Sequence, residues 1–427
     1  METEPSVVSL RLPEPGPLGL KKSFGYGDRL GLATTGHLAA HRKFGFAPIF
    51  AQQSIREMTR TGRSPREVVS AAQEALLKAG FTDPWGADAD HLKNLDEARE
   101  TSEAGFCFFT VDPSDFVENR ADKMSESELS EATGKLVEIG VFETADWREP
   151  YVGKSYEVSE DLTLSFTKED VDRAAVKYAR AIAHTATMEQ GIREVRGEKP
   201  FEVEVSVDET TSPTTALEHL FFGLELKRRK VEVVSLAPRF VGVFEKGVDY
   251  QGDVALFERS LAEHVAIARF CGPYKISVHS GSDKLMIYPA IGRMCGDLLH
   301  VKTSGTSYLE ALRCVARASP PLFRQIAEYC AGRFEEDRAS YEISTSSEDV
   351  RGLFNGGMTD MEKTFLDERA GRQLLHVTFG SVLSQGRCVK GRTFRESILE
   401  ILIQEEALHH ELLERHFERH LHELSRG

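Results

Sequence analysis

Short apolar runs alternate with longer helical patterns over most of this 427-residue chain. Such alternation is typical of strand–helix units and a parallel sheet. Most of the runs are apolar throughout rather than at every second position, which suits strands covered on both faces. Eight runs qualify as strands: Pro48–Gln52, Gly86–His91, Gly105–Val111, Glu202–Glu209, Glu232–Arg239, Lys275–Ser280, Leu298–Thr303 and Leu374–Gly380. The pattern therefore predicts an α/β fold of the (β/α)₈ TIM-barrel-like type.

Some segments depart from this alternation and set the expected domain organisation. Residues 1–22 are rich in Pro and Gly and predict an irregular lead-in before a catalytic barrel domain over 23–390. Residues 119–167 predict an insertion, which could cap the mouth of the site. Residues 391–427 predict a C-terminal helical extension. The run Ser23–Leu30 is compatible either with a further strand or with a plug at one end of the barrel.

Composition and charge exclude several classes of protein. The net charge of −15 disfavours nucleic-acid binding, which needs concentrated Lys and Arg. No apolar run approaches the roughly 20 residues of a membrane span. The six scattered cysteines form no CxxC pair, and the acidic N-terminus lacks the apolar core of a signal peptide. We expect a cytoplasmic protein without nucleic-acid or membrane partners. The sequence is compatible with either a monomer or a homo-oligomer.

Three polar residues, Asp88, Asp90 and His91, lie close together at the end of the run at 86–91. Burying such groups without partners would be costly. A metal or a substrate would supply partners, because the carboxyl ends of barrel strands build the active site. The alternative is a surface turn that caps the helix near Leu95.

Glu204 lies among valines in the run at 202–209 and shares one strand face with Ser206 and Asp208. A carboxyl group buried there should have a raised pKa unless a cation lies nearby, which suits general acid–base chemistry. The alternative is an edge strand with one face in water.

Histidines occur at several positions in these patterns. His279 ends the run at 275–280, where an imidazole is a natural ligand for a divalent ion such as Mn²⁺, Zn²⁺, Co²⁺ or Ni²⁺. A lone strand histidine is more often structural, and we interpret His300 and His376 in that way. Five more lie in the helical pattern Phe394–Leu424, where charged neighbours indicate a solvated helix face rather than a metal site: His409, His410, His416, His420 and His422.

Cationic residues lie at the C-terminal ends of two predicted strands and in one of the loops that follow. Lys302 precedes a helix start at which free N–H groups could bind an anion, although simple helix capping would also account for the segment. Arg239 ends the fifth strand. In the loop that follows, Glu245 could supply a carboxylate ligand to a metal and Lys246 could neutralise a substrate acid. An exposed ion pair is the alternative for these two residues.

Eight segments spread between residues 23 and 383 together resemble the tagaturonate epimerase family, which interconverts tagaturonate and fructuronate in hexuronate catabolism. These segments are FGYGDRLG (24–31), FAPIFAQQSIRE (46–57), GADADH (86–91), FTVDPSD (109–115), EVSVDET (204–210), KISVHSGSDK (275–284), HVKTSGTSYLEA (300–311) and HVTFGSVL (376–383).

The resemblance implies an isomerase that uses a divalent metal cation and acts on a sugar acid. It implies Asp90 as the proton acceptor, Glu204 as the proton donor, and His91 and His279 as metal ligands. A third ligand is placed at Glu245, with Glu209 and His376 as alternatives. Substrate binding is assigned to Lys302, Lys246 and Arg239.

The adjacent positions of Asp90 and His91 create a geometric difficulty, because neighbouring strand residues face opposite ways. A β-bulge or the end of the strand must aim both side chains into the site.

Two other functions stay open from the sequence. A class II-type aldolase or a ketose epimerase acting on a neutral sugar would use the same barrel and metal, since a retro-aldol route links these chemistries. A non-catalytic sugar-acid sensor belongs to a different class, and the absence of a basic DNA-binding pattern speaks against a regulator of that kind.

Overall fold

The computed structural model describes residues 12–355, 360–389 and 391–426. Its centre is a closed barrel of eight parallel strands in the order β1-β10-β9-β8-β7-β4-β3-β2. The predicted (β/α)₈ fold is therefore confirmed. The barrel strands are β1 Ser23–Tyr26, β2 Ala47–Ser54, β3 Gly86–Leu92, β4 Phe108–Val111, β7 Glu202–Ser206, β8 Ser235–Ala237, β9 Lys275–Val278 and β10 Leu299–Thr303. The strands β5 Ser155–Ser159 and β6 Leu162–Ser165 form a separate hairpin.

Helices surround the barrel and make up most of the chain after β10. Their bounds are α1 Thr34–His41, α2 Ile55–Thr61, α3 Pro65–Lys78, α4 Leu95–Ala104, α5 Glu126–Glu138, α6 Lys168–Arg196, α7 Ala216–Arg228, α8 Val254–Cys271, α9 Tyr288–Cys295, α10 Thr306–Ala318, α11 Pro320–Asp337, α12 Ser347–Gly352, α13 Arg369–Val377, α14 Phe379–Ser384, α15 Phe394–Gln404 and α16 Glu406–Ser425. Among the described residues, no helix combines the length and apolar content needed to cross a membrane.

Seven of the eight predicted strands are present, and the prediction at Leu374–Gly380 is wrong. That segment is helical, in α13 and α14, and its apolar residues pack into a second hydrophobic cluster formed by the C-terminal helices. A short apolar run does not distinguish a strand from a buried helix. The eighth strand of the barrel is Ser23–Tyr26, which pairs in parallel with both β10 and β2. Gly25 suits that position, because an added Cβ would lie only 3.2 Å from Cγ of Gln52.

The C-terminal extension differs from the single solvated helix that the sequence predicts. It consists of two helices, α15 and α16, and α16 packs on α1, α9 and α10. His409 and His420 are 2% and 1% exposed, since both belong to the face of α16 that also buries Phe417. The interpretation of these histidines as a solvated face is therefore wrong for His409 and His420.

Residues 119–167 form α5 and the β5–β6 hairpin and pack against the outer helices α6, α7 and α8. No residue of this insertion lines the cavity described below, which is instead bordered by Ser340–Ile343 of the C-terminal region.

Candidate active site

A buried lysine joins three carboxyl groups inside the barrel. Nζ of Lys302, on β10, lies 2.7 Å from Oδ2 of Asp88, 2.8 Å from Oδ1 of Asp90 and 2.8 Å from Oε1 of Glu204. Asp88 and Asp90 come from β3 and Glu204 from β7, so the barrel brings the polar ends of three strands together. These side chains are at most 10% exposed. The charge of Lys302 compensates the carboxylates, which would be costly to bury without a cationic partner.

Two histidines lie beside this lysine. His279 Nε2 is 2.7 Å from Oε1 of Glu204, and its Nδ1 is 3.6 Å from Oδ2 of Asp208. His91 Nε2 is 3.8 Å from Oδ2 of Asp90, and its Nδ1 is 3.4 Å from Oδ2 of Asp112. The two imidazole rings meet edge to face with centroids 5.2 Å apart. The histidines that the sequence predicted as ligands are thus neighbours.

A β-bulge accounts for the way in which Asp90 and His91 reach the same site. The register of β3 against β4 shifts between Ala89 and Leu92, and His91 has a φ of +55°. A non-glycine residue in the left-handed region is strained, and such strain is concentrated at functional sites. Of the two arrangements expected from the adjacent positions of Asp90 and His91, a bulge or the strand end, the structure has the break in register.

The charges of the site hold Asp90 and Glu204 ionised. Burial alone would raise the pKa of Asp90 and of Glu204, but the positive charge of Lys302 and of the imidazoles beside them lowers both well below the usual range. Burial raises the pKa of Asp88 to about 7. Burial would lower the pKa of the histidines, but neighbouring carboxylates raise it to about 9 for His91 and about 10 for His279.

The donor set around the imidazoles suits a divalent cation. One ligand atom each from Asp90, His91 and His279 lies within 4.8 Å of the others, and we call these three residues the mouth cluster. Five carboxyl groups lie within 3.6 Å of Lys302, His91 or His279, which leaves an excess of negative charge: Asp88, Asp90, Asp112, Glu204 and Asp208. Imidazole and carboxylate are the ligands that Zn²⁺, Mn²⁺ and similar ions take. The residues therefore fit such an ion.

A second group of possible ligands, Asp283, His416 and His420, does not fit a metal in the same way, and we call it the helix cluster. Nε2 of His420 accepts a hydrogen bond of 2.9 Å from the Asp283 backbone N–H, and Nδ1 donates to the His416 carbonyl. Both ring nitrogens of His420 are therefore occupied. Oδ2 of Asp283 is paired with Arg372 at 2.6 Å.

The three residues proposed from the sequence for a third ligand lie outside the mouth cluster. Oε2 of Glu245 accepts hydrogen bonds from Ser344 and Gln373. Glu209 is partly exposed and 3.7 Å from Arg56. His376 is buried, and burial together with the nearby Arg29 holds its pKa well below the ordinary value.

Asp208 approaches the imidazoles more closely than these candidates, although sequence reasoning gave it no role. Its Oδ2 is 3.6 Å from His279 Nδ1, and the charge of His91 also lowers its pKa. The signal was the alternation in EVSVDET, which sets Asp208 on the strand face of Glu204. In the structure Asp208 lies two residues beyond the end of β7 at Ser206, and the sequence does not show that this loop position faces His279.

An open cavity of about 620 Å³ reaches His91, His279 and Asp208. Its volume lies in the range of small-molecule sites. Of the three residues that the sequence suggests for substrate binding, Lys246 and Arg239 also line it and Lys302 does not. Lys246 Nζ donates to Oγ of Ser280 at 2.6 Å. Arg239 donates to the Thr210 carbonyl and is 3.4 Å from Glu342.

Comparison with known proteins identifies relatives of the whole chain. The sequence model of the UxaE family, described as tagaturonate epimerase, matches residues 5–424. A tagaturonate/fructuronate epimerase of Thermotoga maritima is 44% identical over 409 residues, which cover 96% of this chain and 82% of that protein. Crystal structures of the fructuronate-tagaturonate epimerase of Cohnella laeviribosi, native and with one glycerol, superpose with TM-scores of 0.89 and 0.90. Both are 36% identical and cover 96% of this chain and 83% of theirs.

Proposed function

The chain belongs to the tagaturonate epimerase family and is an isomerase of the carbohydrate epimerase type, and we propose that it interconverts D-tagaturonate and D-fructuronate with a divalent cation bound at the mouth cluster. The observation that carries this proposal is the convergence of Asp90 and Glu204 on His91 and His279, the two histidines that line one open cavity.

Proton transfer by the carboxylates follows from the chemistry of the substrates. The two sugar acids differ at C4, and their ketone is at C2, so enolisation toward C3 does not reach the altered carbon. A retro-aldol route does. Asp90, already ionised, takes the proton of the C4 hydroxyl, the C3–C4 bond breaks, and its electron pair passes to C3 and the ketone as an enediolate. Rotation of the C4 aldehyde and re-addition to its other face give the epimer, and Asp90 returns the proton to O4.

Glu204 acts on the ketone side of the same bond. In the free protein Lys302 and His279 hold it ionised, so Glu204 becomes a donor only after the protonated imidazole of His279, whose Nε2 is 2.7 Å from its Oε1, passes it a proton. Its Oε2 accepts a hydrogen bond from Ser235 and its Oε1 lies beside His279, and these contacts fix its orientation.

A divalent cation held by His91, His279 and a carboxylate of Asp90 or Asp208 would polarise the ketone and stabilise the negative charge that develops on its oxygen. Mn²⁺, Zn²⁺, Co²⁺ and Ni²⁺ all suit this mixed nitrogen and oxygen donor set.

The test is an assay of purified protein that has been stripped of metal with a chelator. D-fructuronate is supplied before and after addition of each of the four ions, and D-tagaturonate is followed by chromatography. Metal-dependent formation of tagaturonate is the expected result. Equal conversion by the stripped protein would contradict the cofactor. No conversion with any ion, in protein whose circular dichroism shows an intact fold, would contradict the substrate.

A further inference from the structure

Three lysine or arginine side chains line the cavity, and they differ in how far other residues of the protein already occupy their hydrogen-bond donors. Arg239 and Lys246 donate hydrogen bonds to Thr210 and Ser280. Arg56 makes no side-chain hydrogen bond to any described residue, and its closest carboxylate atom, Oε1 of Glu209, is 3.7 Å from its NH2. About 42% of the Arg56 side chain is exposed. Its guanidinium therefore keeps its donors available to a ligand in the cavity.

The backbone and one aromatic ring position this guanidinium. Ser54 ends β2 and caps α2 by accepting a hydrogen bond from the Glu57 N–H, so Arg56 lies in the first turn of a fixed helix. The Arg56 guanidinium carbon is 5.9 Å from the ring centroid of Tyr341. Tyr341 is itself held, because its hydroxyl accepts a 2.6 Å hydrogen bond from Arg60.

The chemistry of the proposed substrate requires such a group. A hexuronate differs from the corresponding neutral ketohexose by a C6 carboxylate in place of a hydroxymethyl group. An arginine can bind a carboxylate through two parallel N–H···O bonds. Lys302 is engaged by three carboxylates inside the barrel and is therefore poorly placed to recognise a further one.

We propose that Arg56 selects hexuronates over neutral ketohexoses by pairing its guanidinium with the C6 carboxylate of the substrate. The proposal rests on the proposed function, in which the reacting carbons lie beside His91 and His279. In the free protein Glu209 attracts Arg56 only weakly across 3.7 Å. The substrate carboxylate replaces this attraction with direct hydrogen bonds.

The experiment compares Arg56→Met with Arg99→Met. Arg99 is a matched control because it is also an exposed helical arginine, on α4, with only a distant carboxylate, Asp96 at 3.5 Å, and it does not line the cavity. For each protein, kcat/KM is measured with D-fructuronate and with the neutral ketohexoses D-fructose and D-tagatose. In Arg56→Met we expect the preference for fructuronate to fall about 10- to 100-fold, mainly through KM. Arg99→Met should keep the wild-type preference, and Arg56→Lys should lie between.

A binding measurement makes the test independent of turnover. Calorimetry gives the dissociation constants of D-galactonate, which carries a carboxylate, and of galactitol, which does not. Arg56→Met should weaken galactonate alone. A preference that does not change in Arg56→Met, or an equal loss for charged and neutral ligands, would overturn the role of Arg56. Failure of the wild-type protein to convert fructuronate would instead count against the proposed function.

Discussion

The mouth cluster and the helix cluster contain the same kinds of side chain, but their surroundings are opposite. In the mouth cluster neighbouring carboxylates raise the pKa of His91 to about 9 and of His279 to about 10, against the effect of burial. In the helix cluster burial lowers the pKa of His416 to about 4 and of His420 to about 3, and nearby arginines act in the same direction. The first environment attracts a cation and the second disfavours one.

The hydrogen bonds of the two clusters differ as well. The ring nitrogens of His279 and His91 face carboxylates next to an open cavity. Those of His420 are both bonded to the main chain, one to the Asp283 N–H in the loop after β9 and one to the His416 carbonyl within α16. Proximity of histidine and aspartate is therefore insufficient for a metal site. In the mouth cluster an ion would replace imidazole protons that face carboxylates, whereas in the helix cluster it would break main-chain hydrogen bonds.

The largest expected effect is on catalysis at the mouth cluster. Glu204→Gln should lower kcat for fructuronate about 10²- to 10⁴-fold, since an amide does not transfer the proton. Bound metal, measured by atomic emission, should stay at the wild-type level, because Glu204 is not one of the three clustered ligands. His416→Gln in the helix cluster is the matched change and should leave kcat near wild type. An active Glu204→Gln enzyme would remove Glu204 from the mechanism.

The next effect concerns stability beneath the mouth cluster. Lys302→Met leaves Asp88, Asp90 and Glu204 without their shared cation. Breaking a buried ion pair from one side costs about 3–5 kcal/mol, and we expect a loss of this size in the free energy of unfolding by urea. Lys78→Met, at a side chain that is 79% exposed, should change it by less than about 0.5 kcal/mol. Equal stabilities would mean that Lys302 does not hold these carboxylates.

A smaller loss is expected in the helix cluster. His420→Phe removes the acceptor of the buried Asp283 N–H, which should cost about 1–3 kcal/mol of unfolding free energy. Metal content should not change. His422→Phe lies on the same helix at a side chain that is 60% exposed and serves as the control. Loss of the bound ion in His420→Phe would reverse the comparison.

The two clusters should also differ in how the stability of the metal-free protein depends on pH. Unfolded histidine has a pKa of about 6.5. The pKa of His416 and of His420 is lower in the folded protein, so below pH 6.5 the unfolded state binds more protons than the folded state. The free energy of unfolding therefore falls by about 1.4 kcal/mol for each histidine with every pH unit of acidification.

The mouth cluster has the opposite dependence on pH. Because the folded pKa of His91 and His279 is raised, their contribution is complete below pH 6.5 and is lost as the pH rises toward 9 and 10. Urea unfolding between pH 4.5 and 10 should therefore show a flatter acid side in His416→Gln/His420→Gln. The alkaline side should be flatter in His91→Gln/His279→Gln. Identical profiles in the two double variants would contradict the assigned environments.

The sequence predicts the barrel and the strand ends well, because polar residues that close a buried apolar run are costly to bury unless they bind a partner. It predicts that either a bulge or the strand end brings Asp90 and His91 into one site, since neighbouring strand residues otherwise face opposite ways. It does not predict that Ser23–Tyr26 closes the barrel, since four residues that include a glycine give almost no strand signal. The strand prediction at Leu374–Gly380 is wrong because the apolar residues of this segment are buried by packing between helices, which only the tertiary structure shows.

The candidate site is less predictable where distant segments meet. The pairing of Lys302 with residues of β3 and β7 requires the closure of the barrel, so the sequence suggested an anion-binding role instead. The burial of His420 depends on how α16 packs, and the charged residues next to it in the sequence indicated a solvated face instead. Arg56 gave no signal, because its place on the cavity follows from the Tyr341 loop nearly 300 positions away along the chain.

The most direct measurement is the metal content of two double variants after stripping and reloading with Co²⁺, read by atomic emission and by visible absorption. The mouth cluster is assigned as the metal centre, so His416→Gln/His420→Gln should bind one ion per chain like the wild type. His91→Gln/His279→Gln should bind none and lose epimerase activity. Retention of the ion by His91→Gln/His279→Gln, with its loss from His416→Gln/His420→Gln, would contradict that assignment.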